Sequence, residues 1–408
     1  MMTPASPKRM LIFSLTYYPD LVGGAEIPVK KTTDRIPPNE IIFDMVTLRF
    51  NSELPVFEKI GNVNIYRVGF SKPNPRIGEL VKSPLKWNKY LYPFMSFRKA
   101  QQLQRTHGYD GIWSVMTSYA SFGALFFKMR HPKVKYLFTL NDGDPIEYLK
   151  AKARFVYPLF VRLFTKADLI HVPSTYLGNF ARDMGYKGDL ELIPNAVDAE
   201  DFAKEYPEQE IEAVRKKLGK KPGDVFLITT SRLVKKNAVG DIIKSLAFMP
   251  KEISFFVLGK GPDYEMLEQL AKDTGVAERV HFLGHVDLRE IPKYLKACDI
   301  FVRPSRSEGM GNSPIEAMAA GIPVICTQVG GLADSIIDPD RNPGKTPTAL
   351  AVPTKDPEAI AKQVRRFLEN DAEREQIIKN AREFALARYN SKTIDAAMRE
   401  RVFKRLFS

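Results

Sequence analysis

Arg303-Pro-Ser-Arg-Ser-Glu308-Gly-Met-Gly-Asn-Ser-Pro-Ile-Glu316-Ala-Met-Ala-Ala-Gly321 follows the apolar run Asp299-Ile-Phe-Val302. The order is that of a strand, a glycine-bearing loop and a helix start, with Glu308 in the loop and Glu316 one turn into the helix. Gly309 and Gly311 let backbone N–H groups approach a diphosphate, and a helix N-terminus adds partial positive charge. The two carboxylates can then accept hydrogen bonds from hydroxyls such as those of a sugar and a ribose. A plainer reading competes. Ser313-Pro314-Ile315-Glu316 also spells a capping box with Pro at the first helical position, in which Glu316 only caps the helix.

Outward from this tract the chain alternates short apolar strands with longer helical segments, twice over. Strands are expected over residues 10–15, 41–48, 63–68, 111–116, 136–140, 169–173 and 190–194 in the first half. In the second half they are expected over 225–231, 254–259, 280–283, 299–303, 323–327 and 349–352. Both halves therefore read as doubly wound α/β sheets. The join falls in Pro194-Asn-Ala-Val-Asp-Ala-Glu-Asp201, where a strand exits into a polar turn. Helical patterns fill 356–388 and 391–407, and the break at Tyr389-Asn390 lets the last helix cross back. The expected domains are residues 1–198 plus 391–408, and residues 199–390. In such a pair the ligand is expected at the carboxyl ends of the strands, in a cleft between the halves.

At 408 residues, with 44% hydrophobic and 27% charged residues, the composition is that of a globular protein. No apolar stretch approaches the roughly 20 residues that span a bilayer, and the run 10–15 is too short for a signal-peptide core, so a cytoplasmic location is expected. Cys298 and Cys326, both in apolar or helical surroundings, read as buried thiols rather than a disulfide or metal site. His107, His131, His171, His281 and His285 have no zinc-like spacing, and His171 lies inside an apolar strand. The net charge of +13 asks for an anionic partner. Residues 59–105 carry ten Lys or Arg against the single acid Glu79, with aromatics clustered from Trp87 to Phe97. That mixture suits an anionic membrane surface over residues 82–99 better than a nucleic-acid groove, the alternative being a solvated basic face over aromatic core.

Five stretches fall into one order: Gly23-Gly24-Ala25-Glu26 after the first strand, Asn141-Asp142-Gly143-Asp144 after the fifth, Ile193-Pro-Asn-Ala-Val-Asp198 at the join, Ser231-Arg232-Leu-Val-Lys235-Lys236-Asn237 after the first strand of the second half, and the opening tract's Glu308 to Glu316. Together with Gly259-Lys-Gly-Pro262 and Val280-His-Phe-Leu-Gly284, this order resembles a retaining glycosyltransferase of family 4 with the GT-B fold, in the glycogen-synthase-like and mannosyltransferase-like group. The likeness spans nearly the whole chain and is most specific in the second half. The dinucleotide fingerprint Gly-x-Gly-x-x-Gly is absent after the first strand, which counts against an oxidoreductase.

The resemblance implies a role for each matched position. Arg232 binds the donor diphosphate and stabilises charge on the leaving group. The family's accompanying lysine falls five residues later, where this chain has Asn237; Lys236 stands one position earlier and either reaches the phosphate or leaves the site one cation short. Glu308 holds hydroxyls of the transferred sugar, Glu316 takes the ribose hydroxyls, and Gly309, Met310, Gly311 and Asn312 turn donors toward sugar and diphosphate. Gly23 and Gly24 allow close backbone approach at the donor phosphate. Asn141 stands where many relatives carry His; it hydrogen-bonds but does not exchange a proton near neutral pH. Catalysis is thus assigned to Glu308, Arg232, Lys236 and Asn141, with front-face attack and the departing phosphate oxygen taking the acceptor's proton. Asp142 and Asp144 are assigned to the acceptor. Their Asp-x-Asp spacing could also share a hard cation, yet no metal or other cofactor is expected.

The expected activity is transfer from a nucleotide-diphosphate sugar to a glycan, lipid-linked or small-molecule acceptor. A nucleotide-sugar epimerase of the same fold is the alternative, disfavoured by Asn141. A basic nucleic-acid-binding protein ranks below it.

Overall fold

The computed structural model describes residues 6–19 and 26–408. Contacts divide the chain into two compact units, one running up to Pro194 and taking in Ile394–Ser408, the other Asn195–Thr393.

In the first unit the strands are β1 (Lys8–Phe13), β2 (Ile41–Leu48), β3 (Phe57–Ile60), β4 (Val63–Val68), β5 (Gly111–Val115), β6 (Lys135–Thr139), β7 (Leu169–Val172) and β8 (Asp189–Leu192). They form one sheet in the order β3-β4-β2-β1-β5-β6-β7-β8, parallel except where β3 pairs antiparallel with β4. The central strands are buried on both faces, as a parallel sheet covered by helices requires; β1, β5 and β6 carry Leu11, Ile12, Phe13, Ile112, Trp113, Leu137 and Phe138 with almost no exposure. The order reverses between β1 and β5, so their carboxyl ends form the topological switch point.

The C-terminal residues belong to this unit. Phe403 packs edge-on against Phe43 of β2 and Trp113 of β5, with centroids 5.9 and 5.5 Å away. Arg399 pairs with Glu40, and Arg401 and Arg405 share the buried Glu191. The segment 391–407 is continuous helix, Ser391–Ala397 and Arg405–Phe407 being joined through a wider π turn Met398–Lys404. The helical pattern over 356–388, by contrast, splits into Pro357–Glu369 and Asp371–Arg388, because Asn370 leaves helical geometry (φ −126°, ψ 76°) and donates from its backbone and side chain to the Arg366 carbonyl.

The second unit holds β9 (Val225–Thr230), β10 (Ile253–Leu258), β11 (Val280–Gly284), β12 (Ile300–Arg303), β13 (Val324–Cys326) and β14 (Leu350–Ala351). These six are all parallel, in the order β11-β10-β9-β12-β13-β14. Counted within the unit this is 3-2-1-4-5-6, the dinucleotide-fold order, with the reversal between β9 and β12. Its helices include Asn312–Ala320, which follows β12 and buries Ile315, Ala317, Met318, Ala319 and Ala320.

Candidate active site

The two tracts singled out in the second half leave the carboxyl ends of β9 and β12, adjacent strands at the reversal of order. Arg232 follows β9. It is exposed, and its guanidinium makes no hydrogen bond or ion pair among the described residues. Its backbone, by contrast, is fixed. The Arg232 carbonyl accepts from the Val234 N–H (2.9 Å), and from the Asn237 side-chain amide (2.7 Å). Asn237 is only 4% exposed, so the position expected to carry a lysine braces the Arg232 turn instead. Lys236 is partly exposed on the short turn Lys235–Asn237, and its carbonyl accepts from the Arg306 N–H at 2.7 Å. Arg306 also pairs with Asp241 (3.0 Å), which ties the turn after β9 to the loop after β12.

Glycines hold these turns together at close range. A Cβ on Gly259 would lie 2.0 Å from the Ser231 carbonyl oxygen, and one on Gly261 would lie 2.2 Å from that of Leu233. The Gly259-Lys-Gly turn therefore lies directly against the arginine-bearing one, and leaves Lys260 exposed beside it.

In the loop after β12, Glu308 is partly buried. Its Oε1 accepts from Arg303 Nη2 (2.7 Å) and Ser305 Oγ (3.1 Å). The Glu308 carbonyl accepts from the Gly331 N–H at 2.9 Å. A Cβ on Gly331 would stand 1.9 Å from the Gly309 carbonyl oxygen, so the loop after β13 supports the glycine loop backbone to backbone. Gly311 has φ 84°, in the left-handed region, and is the N-cap of the helix Asn312–Ala320 without any side-chain cap. The helix starts one residue before Ser313. Ser313 is therefore inside the first turn, and the capping-box reading of Ser313 and Glu316 does not hold. Met310 is buried, its sulfur accepting from the Asn195 N–H at 3.2 Å, so only its backbone faces the loop. Asn312 opens the helix and Glu316 is partly exposed one turn on.

The site residues expected in the first half are distributed differently. Gly23 and Gly24 lie outside the described residues. Asn141 and Asp144 are partly exposed in the loop after β6. Asp142 is 3% exposed, and its carboxylate accepts from the Thr117 backbone N–H (3.0 and 3.1 Å) and hydroxyl (2.6 Å). It thereby joins the β6 loop to the turn after β5, and those contacts occupy the carboxylate assigned to an acceptor. His171 is buried, with Nε2 donating to the Ile193 carbonyl (2.8 Å) and Thr139 Oγ1 beside Nδ1 (3.3 Å); burial pushes it down to about 4. Burial pushes the Cys298 and Cys326 thiols far above their ordinary value, so neither is a nucleophile near neutral pH. Among the described residues no group of three or more His, Cys, Asp and Glu is placed to hold a metal ion.

Sequence reasoning passed over Arg303, Arg306 and Gly330-Gly331. A signal existed for two of these: a cation closing the buried run Ile-Phe-Val, and paired glycines in the short loop after β13.

Two largely parallel α/β units with these strand orders are those of the GT-B fold, and the family matches given below make the chain a glycosyltransferase, a transferase of EC class 2.4. Solved structures share the fold: sucrose-phosphate synthase from Thermosynechococcus elongatus (TM-score 0.79, 21% identity, covering 98% of this chain and 99% of that one) and Anabaena HepE in complex with UDP-glucose (TM-score 0.75, 19% identity, 97% and 99%). The chain belongs to the family-4-like glycosyltransferases, matching Glycosyltransferase Family 4 over residues 23–201 and Glycosyl transferases group 1 over residues 210–384. An uncharacterised glycosyltransferase of Methanocaldococcus jannaschii is 26% identical over 94% of both chains. A GDP-mannose-dependent phosphatidylinositol monomannoside mannosyltransferase of Mycolicibacterium smegmatis is 30% identical over 46% of this chain and 50% of its own length. An alpha-monoglucosyldiacylglycerol synthase of Acholeplasma laidlawii is 26% identical over 42% and 44%.

Proposed function

We propose that this enzyme transfers a sugar from a nucleotide-diphosphate sugar to a glycan, lipid-linked or small-molecule acceptor, with retention of configuration and without a metal ion. The observation that carries the reading is an exposed guanidinium, without a partner among the described residues, at the end of β9 beside the Glu308 loop and helix start that follow β12. An exposed guanidinium at that strand end is a ready partner for a diphosphate. Arg232 and Lys236 take the diphosphate together with the N–H groups of Gly309, Gly311 and Asn312. Glu308 accepts from hydroxyls of the transferred sugar through Oε2, which has no partner among the described residues, and Glu316 accepts from the ribose.

As the bond from the anomeric carbon to the diphosphate breaks, the guanidinium and backbone dipoles meet the charge that develops on the leaving oxygen. That oxygen takes the acceptor hydroxyl's proton while the acceptor oxygen bonds to the same face of the sugar. Asn141 orients hydroxyls and carries no proton; Asp144 is the acceptor-side carboxylate with a partly exposed side chain. The activities of the relatives, GDP-mannose-dependent in one case, support a sugar-nucleotide donor.

A peripheral site on an anionic bilayer, on the cytoplasmic side, completes the reading. Trp87, Tyr90, Leu91 and Phe94 are exposed at the start of the helix Asn88–His107. Ring contacts run from Trp87 to Tyr90 to Tyr119, and Lys152 lies over both Tyr119 and Tyr148. Phe155, 85% exposed, stands beyond them, with Arg154 over its ring. Among the described residues no helix is long and apolar enough to cross a membrane.

Thermal-shift titration with UDP, GDP, ADP and their sugar conjugates tests the donor, and a folded protein that responds to none of them rejects it. Release of an altered sugar with no acceptor present would indicate the epimerase instead. Co-flotation with anionic but not zwitterionic vesicles at low salt is expected for the surface, and equal absence from both would dismiss it.

A further inference from the structure

We infer that Arg303 is a positioning residue for the transferred sugar: it fixes one oxygen of Glu308 so that the other is presented to the sugar's hydroxyls. The inference rests on the donor reading above.

Arg303 closes β12 and is only 8% exposed. Each of its three nitrogens has a different partner. Nε donates to Ser305 Oγ (2.8 Å), Nη1 to the Thr230 carbonyl at the end of β9 (2.8 Å), and Nη2 to Glu308 Oε1 (2.7 Å). Ser305 Oγ also lies 3.1 Å from that same Oε1. The guanidinium is therefore locked by both strands of the switch point before it meets the carboxylate, and the orientation of Glu308 is inherited from the sheet. A side chain at the end of a mobile loop would otherwise pay rotamer entropy on binding.

The pattern differs from that of an arginine kept only to tie two strands. An arginine and a carboxylate paired for their own sake engage through two parallel bonds, which satisfies both oxygens. Here both donors converge on Oε1. Oε2 keeps its lone pairs, and Glu308 remains partly exposed. A carboxylate with one oxygen held and one offered is what a bound hydroxyl requires.

The distinguishing readout is selectivity between a free nucleotide, which has no transferred sugar, and its sugar conjugate. Calorimetric titration with the nucleoside diphosphate that wild type binds, and with its sugar conjugate, is carried out on wild type, Arg303→Met, Ser305→Ala, Glu308→Gln and the Arg303→Met/Glu308→Gln double variant. Arg303→Met is expected to leave affinity for the free nucleotide within about twofold and to lower affinity for the conjugate about tenfold to a hundredfold, the range for hydrogen bonds to charged groups. The double variant should bind no more weakly than Glu308→Gln alone. Ser305→Ala should show the same selective loss at a smaller amplitude, and carries the test if Arg303→Met fails to fold. Equal losses for both ligands, no loss for either, or additive losses in the double variant overturn the inference. Failure of wild type to bind any nucleotide overturns the donor reading, and the inference with it.

Discussion

Replacing Gly331 by Ala tests whether the glycine loop after β12 is held in place by the loop after β13. The new Cβ would lie 1.9 Å from the Gly309 carbonyl oxygen and 2.5 Å from its carbon. Real Cβ contacts do not fall below 3.0 Å, so one backbone must retreat by at least about 1.1 Å. Both neighbours are backbone, and no side chain can rotate to absorb the displacement. Overpacking of this kind costs about 1–3 kcal/mol, which in a unit of this size lowers Tm by about 2–4 °C per kcal/mol. The effect on function should be larger, since a displacement near 1 Å at a reacting centre costs about a hundredfold in rate. The assay is donor turnover, as transfer or slow hydrolysis, alongside Tm. Gly344→Ala is the control. Gly344 has φ 81° with nothing within 4 Å of the added atom, so it should lose stability by about 1–2 kcal/mol and keep its turnover. Gly331→Ala turnover within threefold of wild type would refute the view that this backbone contact sets the loop.

Arg232→Ala should lower turnover by order 10² or more with Tm unchanged, because the guanidinium makes no bond among the described residues but meets leaving-group charge; near-normal turnover would contradict that role. Ser313→Ala should shift stability by less than about 0.5 kcal/mol, whereas a true N-cap would lose about 1 kcal/mol; chemical denaturation separates the two. His171 is neutral in both folded and unfolded chains above pH 6.5. As pH falls from 6.5 toward about 4 the unfolded chain protonates first, so stability is progressively lost, by about 3 kcal/mol in all. His171→Gln keeps a donor for the Ile193 carbonyl and should flatten the stability curve in that window; an unchanged curve would show that His171 is not the group responsible.

Both sheets were legible because their strands are buried on two faces and so read as continuous apolar runs, Met10 to Phe13 or Phe255 to Leu258 for example. The strand β3 was not. Phe57-Glu-Lys-Ile alternates exposed and half-buried residues at a sheet edge, and offers no apolar run to detect. The candidate site was readable as residue types and spacing, but not as burial. Nothing in Pro-Ser-Arg-Ser distinguishes a solvated arginine from one sunk between two strands, so Arg303 passed as punctuation. The capping-box reading put the N-cap at Ser313 and the first helical residue at Pro314 because serine and proline are strong local signals there. The left-handed Gly311 carries the chain into helix at Asn312, two residues before Pro314. Asp142 was assigned to an acceptor with Asp144, and only the fold shows Thr117 bonded to its carboxylate. At Asn237 the sequence left open which residue serves the lysine's role; its amide on the Arg232 carbonyl shows what the asparagine does there instead.

The account stands or falls on where a sugar nucleotide binds, and a structure of the complex decides it. The expected result is a diphosphate at Arg232 and the first turn of the helix Asn312–Ala320, a pentose on Glu316 and a sugar on Glu308 Oε2. A ligand bound elsewhere, or bound there with Arg232 and both glutamates turned away from it, would contradict the account.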